Sequence, residues 1–297
     1  MRSAVAVFCA LLASPAFAAP PDPAAYKAEI EAFRKQRDTQ LRSDAGWLTL
    51  VGLSWLQEGD NSVGSAPKSR VPLPRGKAPE KLGTIRLEKG AATFTAAPGA
   101  AVTEGGRPVA TIALRPDVSG EATRLSHGSL TFFLIKRGAK WGVRVRDREA
   151  DALKNFRGVE AFPPDPAWRF LARFEKYQPP KKIEVPNVLE KPEIQDSPGA
   201  VVFSKDGKSW RIETLVGGRG GELFLVFGDQ TNGKETYRGG RTLTTPPPTP
   251  DGTVFVDFNR AINPPCVFTP YATCPLPPKA NVLALSVTAG EKNYGKH

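Results

Sequence analysis

The sequence predicts a mainly β protein: two antiparallel β-sandwich or barrel-like lobes preceded by one amphipathic helix. Three observations point there. Short apolar or alternating runs recur through both halves, each bounded by Gly, Pro, Asn or Asp. One long stretch, Tyr26 to Leu41, carries a helical period instead. The string Phe162-Pro163-Pro164-Asp165-Pro166 is a stiff connector that divides the short runs into two sets. At 297 residues the chain can bury a substantial core. The expected organisation is a leader over 1–18, a helix over 22–44, a first β lobe over 45–162 and a second over 163–297.

The leader is read from Arg2, the apolar segment Ala4 to Ala13 and the small-residue pattern Ala16-Phe17-Ala18. The apolar run is too short to cross a bilayer. Export to the periplasm with a mature start at Ala19 is the expectation. Asp22-Pro23 then supplies an N-cap and a first-turn proline. Tyr26, Ile30, Phe33, Arg37 and Leu41 follow at spacings of three or four, so this helix is a packing element.

From Trp47 the period changes to two. Trp47–Leu50 and Leu53–Leu56 read as strands, with Trp47 and Trp55 expected in the core. Thr84–Glu88 and Ala92–Thr95 flank Lys89-Gly90 as a hairpin, and Val109–Leu114 follows Gly105-Gly106. Leu130–Lys136 and Trp141–Arg146 form a further pair. In the latter, Val143 and Val145 face the core while Arg144 and Arg146 face away. Asp147 is expected to cap a short helix over Arg148–Phe156.

Beyond the connector, Trp168–Glu175 and Lys181–Val188 read as strands. Val201–Ser204 and Ser209–Leu215 flank the turn signal Asp206-Gly207. Gly217-Gly218-Arg219-Gly220-Gly221 lacks the Lys-Ser/Thr and the strand-to-helix context of a phosphate loop, which leaves a hairpin loop. Glu222–Gly228, Thr253–Phe258 and Val282–Val287 complete the expected strands.

Composition narrows the function classes. The formal net charge is +11, but the bases are scattered and no basic helix or aromatic-plus-basic motif accompanies them. A nucleic-acid partner is therefore not expected. Anionic envelope components or acidic metabolites are the expected beneficiaries of the positive field, and the chain is expected to be a monomer. His127 sits in a turn-like string and His297 is the last residue, so a Ser-His-Asp triad has no positioned base. Cysteine catalysis meets the same lack. Beyond the leader's Cys9 stand Cys266 and Cys274, which an oxidising compartment would join as a disulfide. Metal binding competes weakly, because the spacing fits no zinc pattern and histidines are scarce. No cofactor is expected.

The second lobe gathers an acid, amide and guanidinium set. Period two places Phe255, Asp257 and Asn259 opposite Val254, Val256 and Phe258, so polar groups collect at a strand end before a proline-stiffened loop. Arg241 could fork onto a carboxylate or phosphate. Asp257 and Asp229 could act as an acid–base pair if burial separated their pKa values. With these as candidate catalytic groups, Asn259, Asn263, Tyr237 and Asn281 are candidate ligand-binding residues at the edge of one solvent-reachable pocket. The same set could instead brace the loop, with Arg241 paired to Asp257. The expected function is binding of a small anionic or polar ligand. The alternative is a carboxylate-dependent hydrolase or lyase acting on an envelope component.

The strings Gly228-Asp229-Gln230-Thr231, Glu235-Thr236-Tyr237-Arg238-Gly239-Gly240-Arg241, Asp257-Phe258-Asn259, Asn263-Pro264-Pro265-Cys266, Thr273-Cys274-Pro275-Leu276-Pro277-Pro278 and Ala289-Gly290-Glu291-Lys292 occur in one order. Through them the stretch Gly217–Lys292 resembles the bacterial family called domain of unknown function 1684. That resemblance implies no mechanism. Separately, Leu56 to Ser65 is similar to the opening of forkhead-associated phosphopeptide-binding domains. Ser65 replaces their basic residue and no Ser-x-x-His follows, so this likeness implies a β-sandwich and no phosphate reading.

Overall fold

The computed structural model describes residues 22–188, 192–217 and 220–295. The expected leader and its cleavage pattern lie outside the described residues. The helix α1 spans Pro23–Arg42, and the Asp22 carboxylate accepts from Ala25 N–H at 2.8 Å, as its N-cap position requires. Tyr26, Ile30 and Leu41 of its stripe are buried.

The first set of strands is β1 (Leu50–Trp55), β2 (Gly59–Gly64), β3 (Val71–Pro72), β4 (Gly83–Glu88), β5 (Ala91–Ala96), β6 (Thr103–Glu104), β7 (Arg107–Pro108), β8 (Thr111–Leu114), β9 (Arg124–His127), β10 (Leu130–Arg137) and β11 (Lys140–Asp147). They form a six-stranded sheet in the order β1-β11-β10-β9-β6-β7 and a five-stranded sheet in the order β3-β2-β4-β5-β8. The two pack face to face on Val63, Ile85, Phe94, Phe132, Leu134, Val143 and Val145. Alternation explains which residues enter that core: Val143 and Val145 of β11 point in, and Arg144 and Arg146 point to the opposite face.

The second set is β12 (Arg169–Val185), β13 (Glu193–Lys205), β14 (Lys208–Glu213), β15 (Leu215–Val216), β16 (Leu223–Phe227), β17 (Arg241–Thr245) and β18 (Thr253–Asp257). They form a four-stranded sheet, β14-β13-β12-β18, and a three-stranded sheet, β15-β16-β17. Their core holds Val201, Phe203, Ile212, Leu225, Phe227, Val254, Val256 and Phe258. The fold is thus mainly β with antiparallel sheets and one N-terminal helix, as the periods predict, and among the described residues no sheet closes into a barrel.

Four local readings are corrected. Trp47–Thr49 is a 3-10 turn and the first strand begins at Leu50. Trp47 lies outside the sandwich core, packed with Leu41, Leu48, Phe156, Val267 and Phe268, while Trp55 packs on the outer face of the sheet. Asp147 does not cap a helix: its carboxylate takes Lys77 at 2.6 Å and the Glu149 N–H at 2.9 Å, and the short helix Asp151–Asn155 (α2) starts later. The run Val282–Val287 is no strand. It pairs through an isolated bridge, Gly228↔Val282, and its bonds are dispersed: the Leu283 N–H donates to Gly228 O, Leu285 O accepts from Gln230, and the Val287 N–H goes to the Asp229 carboxylate.

The two strand sets are joined across a mixed seam. Leu41, Leu48, Phe156, Val267 and Phe268 make a small apolar cluster drawn from α1, the turn after it, α2's end and the 263–278 loop. The Thr269 hydroxyl donates to Leu50 O at 2.9 Å, tying that loop to the first strand of the other lobe.

Candidate functional site

The polar groups predicted for a pocket form internal networks. Arg241 opens β17 and is fully buried, at 0% exposure. It donates to Asp229 Oδ2 at 2.9 Å, to Val287 O at 2.8 Å, to Glu291 O at 3.3 Å and to Ala289 O. Gly290 adopts φ 79°, and a Cβ there would meet Ala261 O at 2.5 Å. That left-handed turn accompanies the row of carbonyls converging on Arg241. Burial lowers the Arg241 pKa, and Asp229 works against that shift. Asp229 also accepts from Thr231 N–H at 2.9 Å and Val287 N–H at 3.3 Å.

Asp257 lies in a different network. Both of its oxygens accept from the Tyr26 hydroxyl of α1, at 2.8 and 3.0 Å. Asn259 donates to Tyr26 Oη and to Asp165 O, and accepts from Asp165 N–H at 2.9 Å. Asn263 donates to Lys292 O at 2.7 Å. Asn281 bridges Glu213 and Val226 with three bonds. Arg241 and Asp257 therefore do not share one solvent-reachable pocket, and Arg241 pairs with Asp229 rather than Asp257. The physical reason is that α1 covers the strand end which period two had left facing outward. Of the set, Asn259 borders a cavity of about 260 Å³ beneath α1, with Phe33, Arg34, Arg37 and Glu291. Glu291 is held by Arg37 at 3.2 Å and the Asn263 N–H, and burial raises its pKa.

Tyr237 behaves differently. Its hydroxyl points at Cys266 Sγ, 3.8 Å away, and the Cys266 N–H donates to Cys274 Sγ at 3.1 Å. Both thiols are free in this structure. Among the described residues no group of His, Cys, Asp and Glu is arranged to hold a metal ion.

Sequence reasoning passed over a second constellation on the outer face of the six-stranded sheet. Arg144 and Arg146 of β11 are 6% and 7% exposed. Arg144 donates to Thr273 Oγ1 at 3.3 Å, and Arg146 donates to Thr49 Oγ1 at 2.9 Å and to Gly46 O. All of these acceptors are neutral, and neither guanidinium forms an ion pair among the described residues. Both stack on Trp47, at 5.3 and 5.7 Å from its centroid. Phe133 lies between Arg146 at 5.8 Å and Arg124 at 4.8 Å. Among the described residues, their Nε atoms are sealed without a partner, whereas Nη1 of Arg144 and Nη2 of Arg146 have no acceptor and are not sealed. Burial, then repulsion from Arg124 and Arg144, lowers the Arg146 pKa to about 10. Arg124 continues outward into an open pocket of about 460 Å³ that also holds Arg107 and Arg115 beside Glu104 and Glu121. The legible signal was the outward alternation of Arg144 and Arg146. Their cover, Trp47 and the Thr269–Cys274 loop, comes from distant parts of the chain.

Residues 154–292 match the model of a family described as "Protein of unknown function (DUF1684)". Among solved structures, the chain is similar to an uncharacterized protein of Haloarcula marismortui determined by solution NMR, with 30% identity over 47% of this chain and 78% of that one and a TM-score of 0.40. It is also similar to an FHA domain studied for phosphothreonine-dependent interactions, at 18% identity over 33% of this chain and 96% of that one, TM-score 0.23. A third similarity is to the FhaA FHA domain in complex with the intracellular domain of another protein, at 17% identity over 32% and 97%, TM-score 0.23. No curated protein matches the chain.

Proposed function

We propose that this chain, which belongs through residues 154–292 to the DUF1684 family of proteins of unknown function, is an exported protein that binds a small anion between its lobes. The ligand carries a carboxylate or phosphate group and sits against Arg144, Arg146 and Trp47. One observation carries the reading: two guanidiniums are more than nine-tenths buried side by side with only neutral acceptors. Removing a cation from water costs several kcal/mol unless a counter-charge or full hydrogen bonding replaces the lost hydration. Two such cations repel each other as well. An anion bridging the open Nη groups supplies the missing counter-charge, and the planar guanidinium favours carboxylate or phosphate geometry. Trp47 holds both side chains in place before the ligand arrives, which reduces the ordering cost of binding.

The alternative of a carboxylate-dependent hydrolase or lyase would use Asp229 and Asp257. Each already has an internal partner, Arg241 and Tyr26 respectively. These internal pairings support binding over hydrolysis.

Titration with inorganic phosphate and with citrate, at constant ionic strength set by chloride, tests it. Both anions should raise the unfolding midpoint of the full chain in a saturable way. At a ligand concentration of a hundred times Kd the gain is about 2.7 kcal/mol. Arg144→Lys should weaken binding roughly tenfold or more, because it keeps the charge and loses the fork. No anion-specific shift above chloride would remove the proposal. Export is checked separately, since intact mass of secreted material should correspond to a chain starting at Ala19.

A further inference from the structure

The 263–278 loop brings the Cys266 and Cys274 side chains into hydrogen-bond contact. Cys266 lies in the 3-10 turn Pro265–Val267. Cys274 returns eight residues later so that its sulfur accepts from the Cys266 N–H at 3.1 Å. Both ends of the return are pinned: Thr269 donates to Leu50 O at 2.9 Å, and the Val188 N–H donates to Cys274 O at 3.2 Å. The environments of the two thiols differ. Cys266 is partly open, and the Tyr237 hydroxyl donates to its sulfur. Cys274 is 2% exposed.

We propose that Cys266 and Cys274 are a redox-active pair that reduces small hydroperoxides, with Cys266 as the attacking thiolate, Tyr237 as its hydrogen-bond donor and Cys274 as the resolving thiol. The half-buried position of Cys266 suits a small oxidant better than a protein disulfide, which needs an exposed sulfur. In the first step the Cys266 thiolate attacks one peroxide oxygen and the O–O bond breaks. The alkoxide or hydroxide leaves and takes a proton from water, and Cys266 becomes a sulfenic acid. The Cys274 sulfur then attacks the Cys266 sulfur, the S–O bond breaks, and water leaves with the Cys274 proton. One peroxide is reduced by two electrons and one dithiol is oxidised to a disulfide. Exchange with a small-molecule dithiol, which attacks the partly open Cys266 sulfur and leaves as its own disulfide, restores the pair.

The electrostatics agree with these roles. Hydrogen bonding from Cys274, with a further contribution from Tyr237, outweighs burial and lowers the Cys266 pKa to about 7. The bond to Cys266, together with burial, raises that of Cys274. The charged and titratable groups bearing on the pair are Tyr237, Arg238 beside Tyr237, and Arg144 near Cys274. Tyr237 itself is pushed up to about 12, chiefly by burial, so it stays a donor at neutral pH.

The test uses the reduced full chain, with Cys274→Ser and Tyr237→Phe as variants. Iodoacetamide alkylation of Cys266 should show a midpoint near pH 7 that rises in Tyr237→Phe. At pH 7 its rate should exceed that of free cysteine roughly threefold, once greater ionisation is set against lower intrinsic nucleophilicity. One equivalent of hydrogen peroxide should remove two hydrogens from the wild-type mass. The same treatment of Cys274→Ser should leave a sulfenic acid trappable by dimedone. An alkylation midpoint at or above about pH 8.5 overturns the proposal. A folded-state disulfide that excess dithiothreitol cannot reduce also overturns it, since the pair would then be a static staple. So does peroxide oxidation that leaves the two sulfurs unlinked. The wild-type mass measurement stands even if Cys274→Ser fails to fold.

Discussion

Arg241 and Arg144 are both buried arginines with opposite surroundings. Arg241 has an aspartate and three carbonyls within reach and no exposure, so its charge is consumed internally. A lysine cannot meet acceptors arranged around a planar fork. Arg241→Lys should therefore cost about 3 kcal/mol or more, in the range for breaking a buried pair. Chemical denaturation should show this as a lower midpoint. Arg144→Lys should move that midpoint much less without phosphate, because the neutral Thr273 hydroxyl is all the hydrogen bonding it gives up. Equal losses in the two variants would mean that Arg144 is a brace as well. From sequence the two arginines could not be separated this way. Both open or occupy a strand, and only the return of the 287–291 segment onto Arg241 and the cover of Arg144 by Trp47 and Thr273 separate them.

The helix α1 is the element that rewrites the predicted site. Its stripe was legible because the apolar period is long and capped. What it covers was not, since no local pattern says that Tyr26 will meet Asp257 some 231 residues later. The same limit applies to Val282–Val287, whose apolar residues read as a strand although its bonds are dispersed over Gly228 and Gln230 and, at Val287, the Arg241 and Asp229 side chains. The Tyr26–Asp257 contact carries a pH signature. Burial first, and then the Asp257 charge, raises the Tyr26 pKa above its ordinary value of 10.0. A group raised in the folded state stabilises fully below its unfolded pKa and loses that contribution as pH rises beyond it. Stability should thus hold up to about pH 10 and fall above it. Tyr26→Phe should lower the neutral-pH stability by about 1–3 kcal/mol, the cost of a lost partner for a buried carboxylate. It should also flatten the part of the alkaline fall due to this group. Urea midpoints between pH 7 and 11 measure both, and an unchanged alkaline slope in the variant would refute the assignment.

At the scale of the molecule, two separate β cores meet across a mixed seam that carries one small apolar cluster. The larger cores are separately closed, one on Phe94, Phe132 and Val143, the other on Phe227, Val256 and Phe258. Between them stand the small cluster with Phe268, the Thr269 bond to Leu50 and the Arg144 contact with Thr273. The proposed anion and the proposed thiol pair both lie on this seam, so ligand binding and lobe coupling are linked. Phe268 is the residue that tests the linkage: it stacks on Tyr294 at 5.1 Å and on Arg37 at 5.5 Å within the small apolar cluster. Phe268→Ala removes a large buried side chain from that cluster, which costs about 3 kcal/mol or more. That loss falls on the coupling and not on either main core. Denaturation of Phe268→Ala should accordingly change from one transition towards two, with the far-ultraviolet and tryptophan-fluorescence signals separating. Saturating phosphate should pull the two transitions back together, because an anion held between Arg144, Arg146 and the 263–278 loop binds only when both lobes are in place. If the variant still unfolds in one transition, the lobes are coupled elsewhere. If phosphate stabilises only the first lobe, the anion sits on β11 without spanning the seam.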